Sequence, residues 1–165
     1  MIGLYLLFPG FLLGLLSLLQ LQVGELLPFL NAPPQFLLMG GLLLCLILPR
    51  GASLWMALCF AALLDLWANS GIFQLSMALL SLGPVWGYAR RSENSLSWPQ
   101  ALLATLWVTF SAECLGAFWF LGKGSWVWGH FLHILPPLLF YHLLLLLFLY
   151  PAAKLILKPI SEAKL

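Results

Sequence analysis

Charge is what this sequence has least of. Of its 165 residues only 7% are charged and 63% are hydrophobic, whereas a soluble globular domain carries about 25% charged residues. A folded surface so poor in charge cannot face water over its whole extent. A chain of this length holds about six apolar crossings of roughly 20 residues or somewhat fewer, joined by short connections. That leaves no room for a soluble domain, so residues 1–165 read as one all-α transmembrane domain, a polytopic bundle of about six helices. The seven basic residues form no patch on which nucleic-acid binding could rest.

Reactive groups are scarce too. Cys45, Cys59 and Cys114 lie in apolar runs, are odd in number and form no C-x-x-C or Cys/His cluster, which argues against a disulfide framework and a metal site. No nucleophile motif, phosphate-cradling glycine loop or zinc-protease signature is present. A membrane enzyme acting on polar head groups needs several acids, bases or cation clamps near one surface. Here one surface offers mainly Arg50, Arg90, Arg91 and Glu93. The expectation is a protein without catalysis, cofactor or metal. The first apolar run, residues 2–21, has no Lys or Arg before it and no small-x-small cleavage site after it, so it reads as a retained helix and not a secretion signal.

What the sequence does have is long apolar runs separated by Pro, Gly and Asn. These predict helices over residues 3–21, 35–48, 52–67, 72–88, 98–121 and 130–157. The second is below the usual span; it either borrows from the apolar residues 26–30 as a Pro-broken helix or sits tilted inside the bundle. Gly83-Pro84 predicts a kink in the fourth, and Pro136-Pro137 with Pro151 bends in the sixth. With six crossings both termini share one side. That side holds Arg50, Arg90, Arg91, Lys154, Lys158 and Lys164, against Lys123 alone on the other. The positive-inside rule then places both termini in the cytoplasm, and Trp55, Trp98, Trp126 and Trp128 fall at the membrane edges.

Three polar residues lie deep in the predicted spans. Asp65 and Glu113 stand about 20 and 22 Å from the starts of their helices, at similar depth. A carboxylate in hydrocarbon must face protein or water or be protonated. The two form either a polar locus for a ligand or hydrogen bonds within the bundle, Asp65 to the break at 67–71 and Glu113 to Ser, Thr or His across an interface. His142 is near mid-membrane, where a side-chain hydrogen bond to another helix is nearly obligatory. His130 and His133 are one turn apart but have no acid or cysteine near them in sequence, so an interfacial role is expected.

Small residues recur at helical spacing. Ser53, Ala57 and Ala61 lead to Asp65 on every fourth residue, and Gly10 with Gly14, Gly83 with Gly87, and Ala112 with Gly116 repeat the pattern. Lipid is as apolar as leucine, so helices in a membrane select one another through such close-approach faces. A single-pass partner helix could lie against Ser53, Ala57 and Ala61 or against Gly10 and Gly14.

The segment Phe60-Ala-Ala-Leu-Leu-Asp65-Leu-Trp-Ala-Asn-Ser-Gly71 and the ending Tyr141-His142-Leu-Leu-Leu-Leu-Leu-Phe-Leu-Tyr150-Pro151 resemble the bacterial rod-shape-determining protein MreD family. His142 stands where that family is expected to have a small polar residue such as Asn, and residues 71–74 lack its Leu-Gly pair. The resemblance implies a non-catalytic inner-membrane scaffold of the cell-elongation, peptidoglycan-synthesising machinery. Its implied partners are the single-pass protein MreC and, through it, RodA with its transpeptidase partner and MreB. The family's fold resembles the substrate-binding subunits of energy-coupling-factor vitamin transporters. That gives the alternative function, which needs an outward cavity lined by residues such as Asp65, Glu113 and His133.

Overall fold

The computed structural model describes residues 2–26, 35–48, 53–68, 73–91, 97–121 and 127–162. They form six helices: α1 (Ile2–Leu26), α2 (Phe36–Ile47), α3 (Ser53–Ala68), α4 (Phe73–Arg91), α5 (Trp98–Leu121) and α6 (Val127–Glu162). A helix satisfies its own backbone hydrogen bonds, which suits sequences this apolar. Three helices outrun their predicted ends, each for a local reason. α1 continues through Gln22–Glu25 because none of these residues removes a backbone donor; the first that does is Pro28. α4 takes in Arg90 and Arg91 as its last turn, where cations complement the negative end of the helix dipole. α6 runs through Pro136, Pro137 and Pro151 to Glu162 without a break, about 54 Å of helix. α4 is likewise unbroken at Pro84. The predicted turns at 31–34, 49–51 and 69–71, the Lys123 loop and Trp126 lie outside the described residues.

The bundle is organised around α2. It packs against all five other helices, while α1 meets α3, α3 meets α4, α4 meets α5 and α5 meets α6 around it. Every residue from Leu37 to Ile47 is buried, as expected of a helix that is apolar on all faces. Two adjacent glycines let its neighbours approach. A Cβ on Gly40 would collide with Leu16 and meet Leu13 of α1, and one on Gly41 would stand 2.7 Å from Leu82 Cδ1 of α4 and 3.1 Å from Ala57 Cβ of α3. Thus α2 is enclosed within the bundle, and residues 27–34 that lead to it lie outside the described set.

The outer faces are apolar. Two stretches, Trp98–Phe118 and Phe131–Leu155, are long and apolar enough to cross a membrane, yet only 28% and 17% of their most apolar windows are buried in the bundle. The core helix of a soluble protein would be mostly covered. Leu7, Phe11, Leu66, Phe118, Leu132 and Leu155 are each about 70% exposed or more, a surface suited to hydrocarbon and unsuited to water. The other described apolar stretches are shorter: Pro9–Gln20, Phe36–Ile47 and Ser53–Trp67.

Candidate functional site

The first backbone N–H groups of a helix have no acceptor within it, and α2 begins inside the bundle. Side chains from its neighbours supply the acceptors. The Leu37 N–H donates to Gln20 Oε1 of α1 at 3.0 Å, and the Gln35 N–H donates to His142 Nε2 of α6 at 3.1 Å. Because Nε2 accepts, the ring carries its proton on Nδ1, which lies 2.8 Å from Thr109 Oγ1 of α5. The Thr109 hydroxyl donates to the Thr105 carbonyl at 2.8 Å, and the Thr105 hydroxyl to the Ala101 carbonyl at 2.9 Å. Thr105, Thr109 and His142 are fully buried. The direction of donation is therefore fixed along the chain from Gln35 through His142 and Thr109 to Thr105.

Glu113 joins the same node one helical turn from Thr109. Its Oε1 accepts from Gln35 Nε2 at 3.2 Å, while Gln35 Oε1 is buried without a partner among the described residues. Four helices, α1, α2, α5 and α6, are thus pinned at the start of α2 by Gln20, Gln35, Thr109, Glu113 and His142. The other end of α2 is tied as well, since the Ser53 hydroxyl donates to the Leu48 carbonyl at 3.1 Å. An arrangement in which each hydroxyl and ring proton already has an acceptor fixes the positions of these side chains.

Asp65 belongs to a different polar point. It is buried, and its Oδ1 and Oδ2 accept the Gln74 and Leu75 N–H groups at 2.8 Å each. A side chain near the end of α3 therefore caps the start of α4, with the carboxylate at the positive end of that helix dipole. Asp65 and Glu113 serve separate helix starts: Asp65 bonds the first turn of α4 where the break at 67–71 was expected, and Glu113 bonds Gln35 where Ser, Thr or His was expected. His133 is exposed, and the side chain of His130 is not described. Among the described residues no three His, Cys, Asp or Glu side chains converge on one point.

The small-residue pairs sort into used and unused faces. Ala57 and Ala61 are wholly buried, with Ala57 against α2 at Gly41, and Ser53 is almost so. The face of Ser53, Ala57 and Ala61, expected to take a partner helix, is thus already covered within the chain, Ala57 by α2. Gly10 meets Met56 and Gly14 meets Phe60, both of α3, and Gly116 reaches Phe73 of α4 at 4.0 Å. Ala112 is buried. Among the described residues, Gly83 and Gly87 have nothing within 4 Å of where a side chain would begin. Beside Gly14 the outer faces of α1 and α3 diverge into an open groove of about 400 Å³, lined by Phe11, Leu15, Leu18, Phe60, Leu63 and Trp67 among others, with almost no polar surface.

The sequence reading missed Gln20, Gln35, Thr105, Thr109, Gly40 and Gly41. A signal existed for two of them: Gln20 and Gln35 are isolated amides bordering apolar runs, where an amide needs partners. No protein-family model matches the chain, and no curated protein and no solved structure is significantly similar to it.

Proposed function

We propose that this chain is a non-catalytic multi-pass scaffold of the bacterial inner membrane, crossing it six times with both termini in the cytoplasm. In this reading it binds the single-pass protein MreC and links it to RodA, its transpeptidase partner and MreB in the cell-elongation machinery. The observation that carries the reading is the α1–α3 groove. It is apolar and open along the bundle's side, whereas Gln20, His142 and Asp65 in the interior are spent on capping α2 and α4. Leu18, Leu63 and Trp67 along it are 60%, 57% and 80% exposed, so they do little for the fold of the chain alone. The sequence resemblance to the MreD family supplies the partner's identity. The transporter alternative draws no comparable support, because Asp65 is turned to the start of α4 and His133 lies on the surface.

The test is co-expression with MreC and affinity purification in mild detergent. Leu18→Ala together with Trp67→Ala should lower recovered MreC at least fivefold while leaving the chain's elution volume unchanged. MreC recovered at the unaltered level would overturn the groove as its site. Recovery of paired ATPases with a coupling subunit from native membranes, and no MreC, would overturn the scaffold itself.

A further inference from the structure

A second surface, at the opposite end of α4 from Asp65, is built almost entirely of donors. Tyr88, Arg90 and Arg91 in the last turn of α4 are all exposed. The start of α5 fixes their surroundings. Ser97 and Gln100 form a capping box, the Ser97 N–H donating to Gln100 Oε1 at 2.8 Å, and the Ser97 hydroxyl adds a bond to the same oxygen at 2.9 Å. Gln100 Nε2 then donates to the Tyr88 oxygen at 3.1 Å. With that oxygen used as an acceptor, the phenol proton points away from Gln100 and is left to donate. Arg90 lies over the Trp86 ring with Cζ 5.1 Å from its centroid, a stacking that holds the guanidinium against the bundle and keeps its N–H edge open.

The belt continues onto α6. Trp98 meets Tyr150 edge-on at 5.0 Å, and Lys154 Nζ lies 5.9 Å from the Tyr150 ring. Among the described residues no carboxylate is paired with Arg90, Arg91 or Lys154; Asp65 lies at the far end of α4, and Glu113 is bonded to Gln35 some four turns along α5. The α4 dipole offers roughly half a negative charge, and the sequence beyond α4 one acid, Glu93, against Arg90, Arg91 and Lys154. An excess of positive charge therefore stands at an edge whose neighbours are aromatic rings and apolar helix. One turn below Arg91 there is open space, since no described atom lies within 4 Å of where a side chain at Gly87 or Gly83 would begin.

We propose that the α4–α5 edge formed by Tyr88, Arg90 and Arg91 binds the phosphodiester of an anionic phospholipid. The guanidiniums and the phenol O–H supply donors to the phosphate oxygens, as planar guanidinium forks do best. One acyl chain descends along α4 over Gly87 and Gly83, which a free phosphate could not exploit. The site rests on the multi-pass reading and is independent of MreC.

The experiment is native mass spectrometry of the full chain in detergent micelles, titrated with phosphatidylglycerol or phosphatidylcholine. Phosphatidylglycerol should bind at least tenfold more tightly. Arg90→Gln with Arg91→Gln should cut that affinity about thirtyfold, fivefold for each basic side chain at roughly 1 kcal/mol near an anionic surface, with helical content by circular dichroism unchanged. Arg90→Lys with Arg91→Lys should recover part of it, and Tyr88→Phe should weaken it a few-fold. Equal binding of the two lipids, or an unchanged preference in the Gln double variant, would overturn the site. So would displacement of the lipid by millimolar inorganic phosphate, which would mark an ion site. Loss of MreC copurification with the lipid preference intact would defeat the scaffold reading and leave this site standing.

Discussion

Replacing His142 by leucine tests the node at the start of α2. The two side chains have similar volume, so little cavity is left and the loss is mainly of hydrogen bonds. The Gln35 N–H would lose its acceptor inside the bundle, which costs about 1–3 kcal/mol, and the bond to Thr109 would vanish, worth about 0.6 kcal/mol on average between membrane helices. The total is about 2 kcal/mol, or roughly 4–8 °C in Tm at 2–4 °C per kcal/mol for a protein of this size. Thr109→Val removes the other partner and orphans the His142 Nδ1–H, so alone it should cost about 1–2 kcal/mol. In the leucine background no such donor remains, and the same valine change should cost about 0.5 kcal/mol or less, leaving a clear coupling energy in the cycle. Thermal unfolding in detergent micelles, followed by tryptophan fluorescence, measures all four corners. Strict additivity would refute the hydrogen-bond chain, and so would an unaltered Tm for His142→Leu.

Four further outcomes are expected. Gly41→Val should destabilise by about 1–3 kcal/mol or more through overpacking, because Ala57 Cβ has no rotamer with which to withdraw. Gly83→Val, where nothing stands within 4 Å, should elute from size exclusion like the unaltered chain. Asp65→Asn should cost about 0.5–2 kcal/mol as a weakened helix cap, since an amide offers one oxygen to two N–H donors; hydrogen exchange at Gln74 and Leu75 should rise, and unchanged protection would refute the cap. Ser53→Ala should cost about 1 kcal/mol by removing the bond to the Leu48 carbonyl, read as faster exchange in α2's last turn.

Most of the fold was legible because backbone donors and long apolar runs decide it. Six helices follow from where Pro, Gly and Asn interrupt hydrophobic sequence, and their starts at Trp98 and near Phe36, Ser53 and Phe73 fall within a residue or two of the predicted ones. Ends were less legible, as at Gln22–Glu25 and Arg90-Arg91, because polar residues can extend a helix beyond an apolar span. Asp65 and His142 stood out as polar groups in apolar surroundings, and each has a bond of the kind that position demands. Their partners were not readable. Gln35 and His142 are 107 residues apart in sequence, and no local pattern pairs them. The stripe of Ser53, Ala57 and Ala61 is buried within the bundle, with Ala57 against α2; periodicity shows that something approaches and not what.

The enclosure of α2 has a consequence for biogenesis. A segment whose opening amides are satisfied by Gln20 upstream and by His142 far downstream cannot reach its final state until nearly the whole polypeptide has been made. During synthesis it must wait, sheltered by the insertion apparatus or lying provisionally against α1 and α3, for α5 and α6 to close over it. Chains truncated before Thr109 should therefore be recognised as defective and degraded, even though α1 to α4 are complete in them.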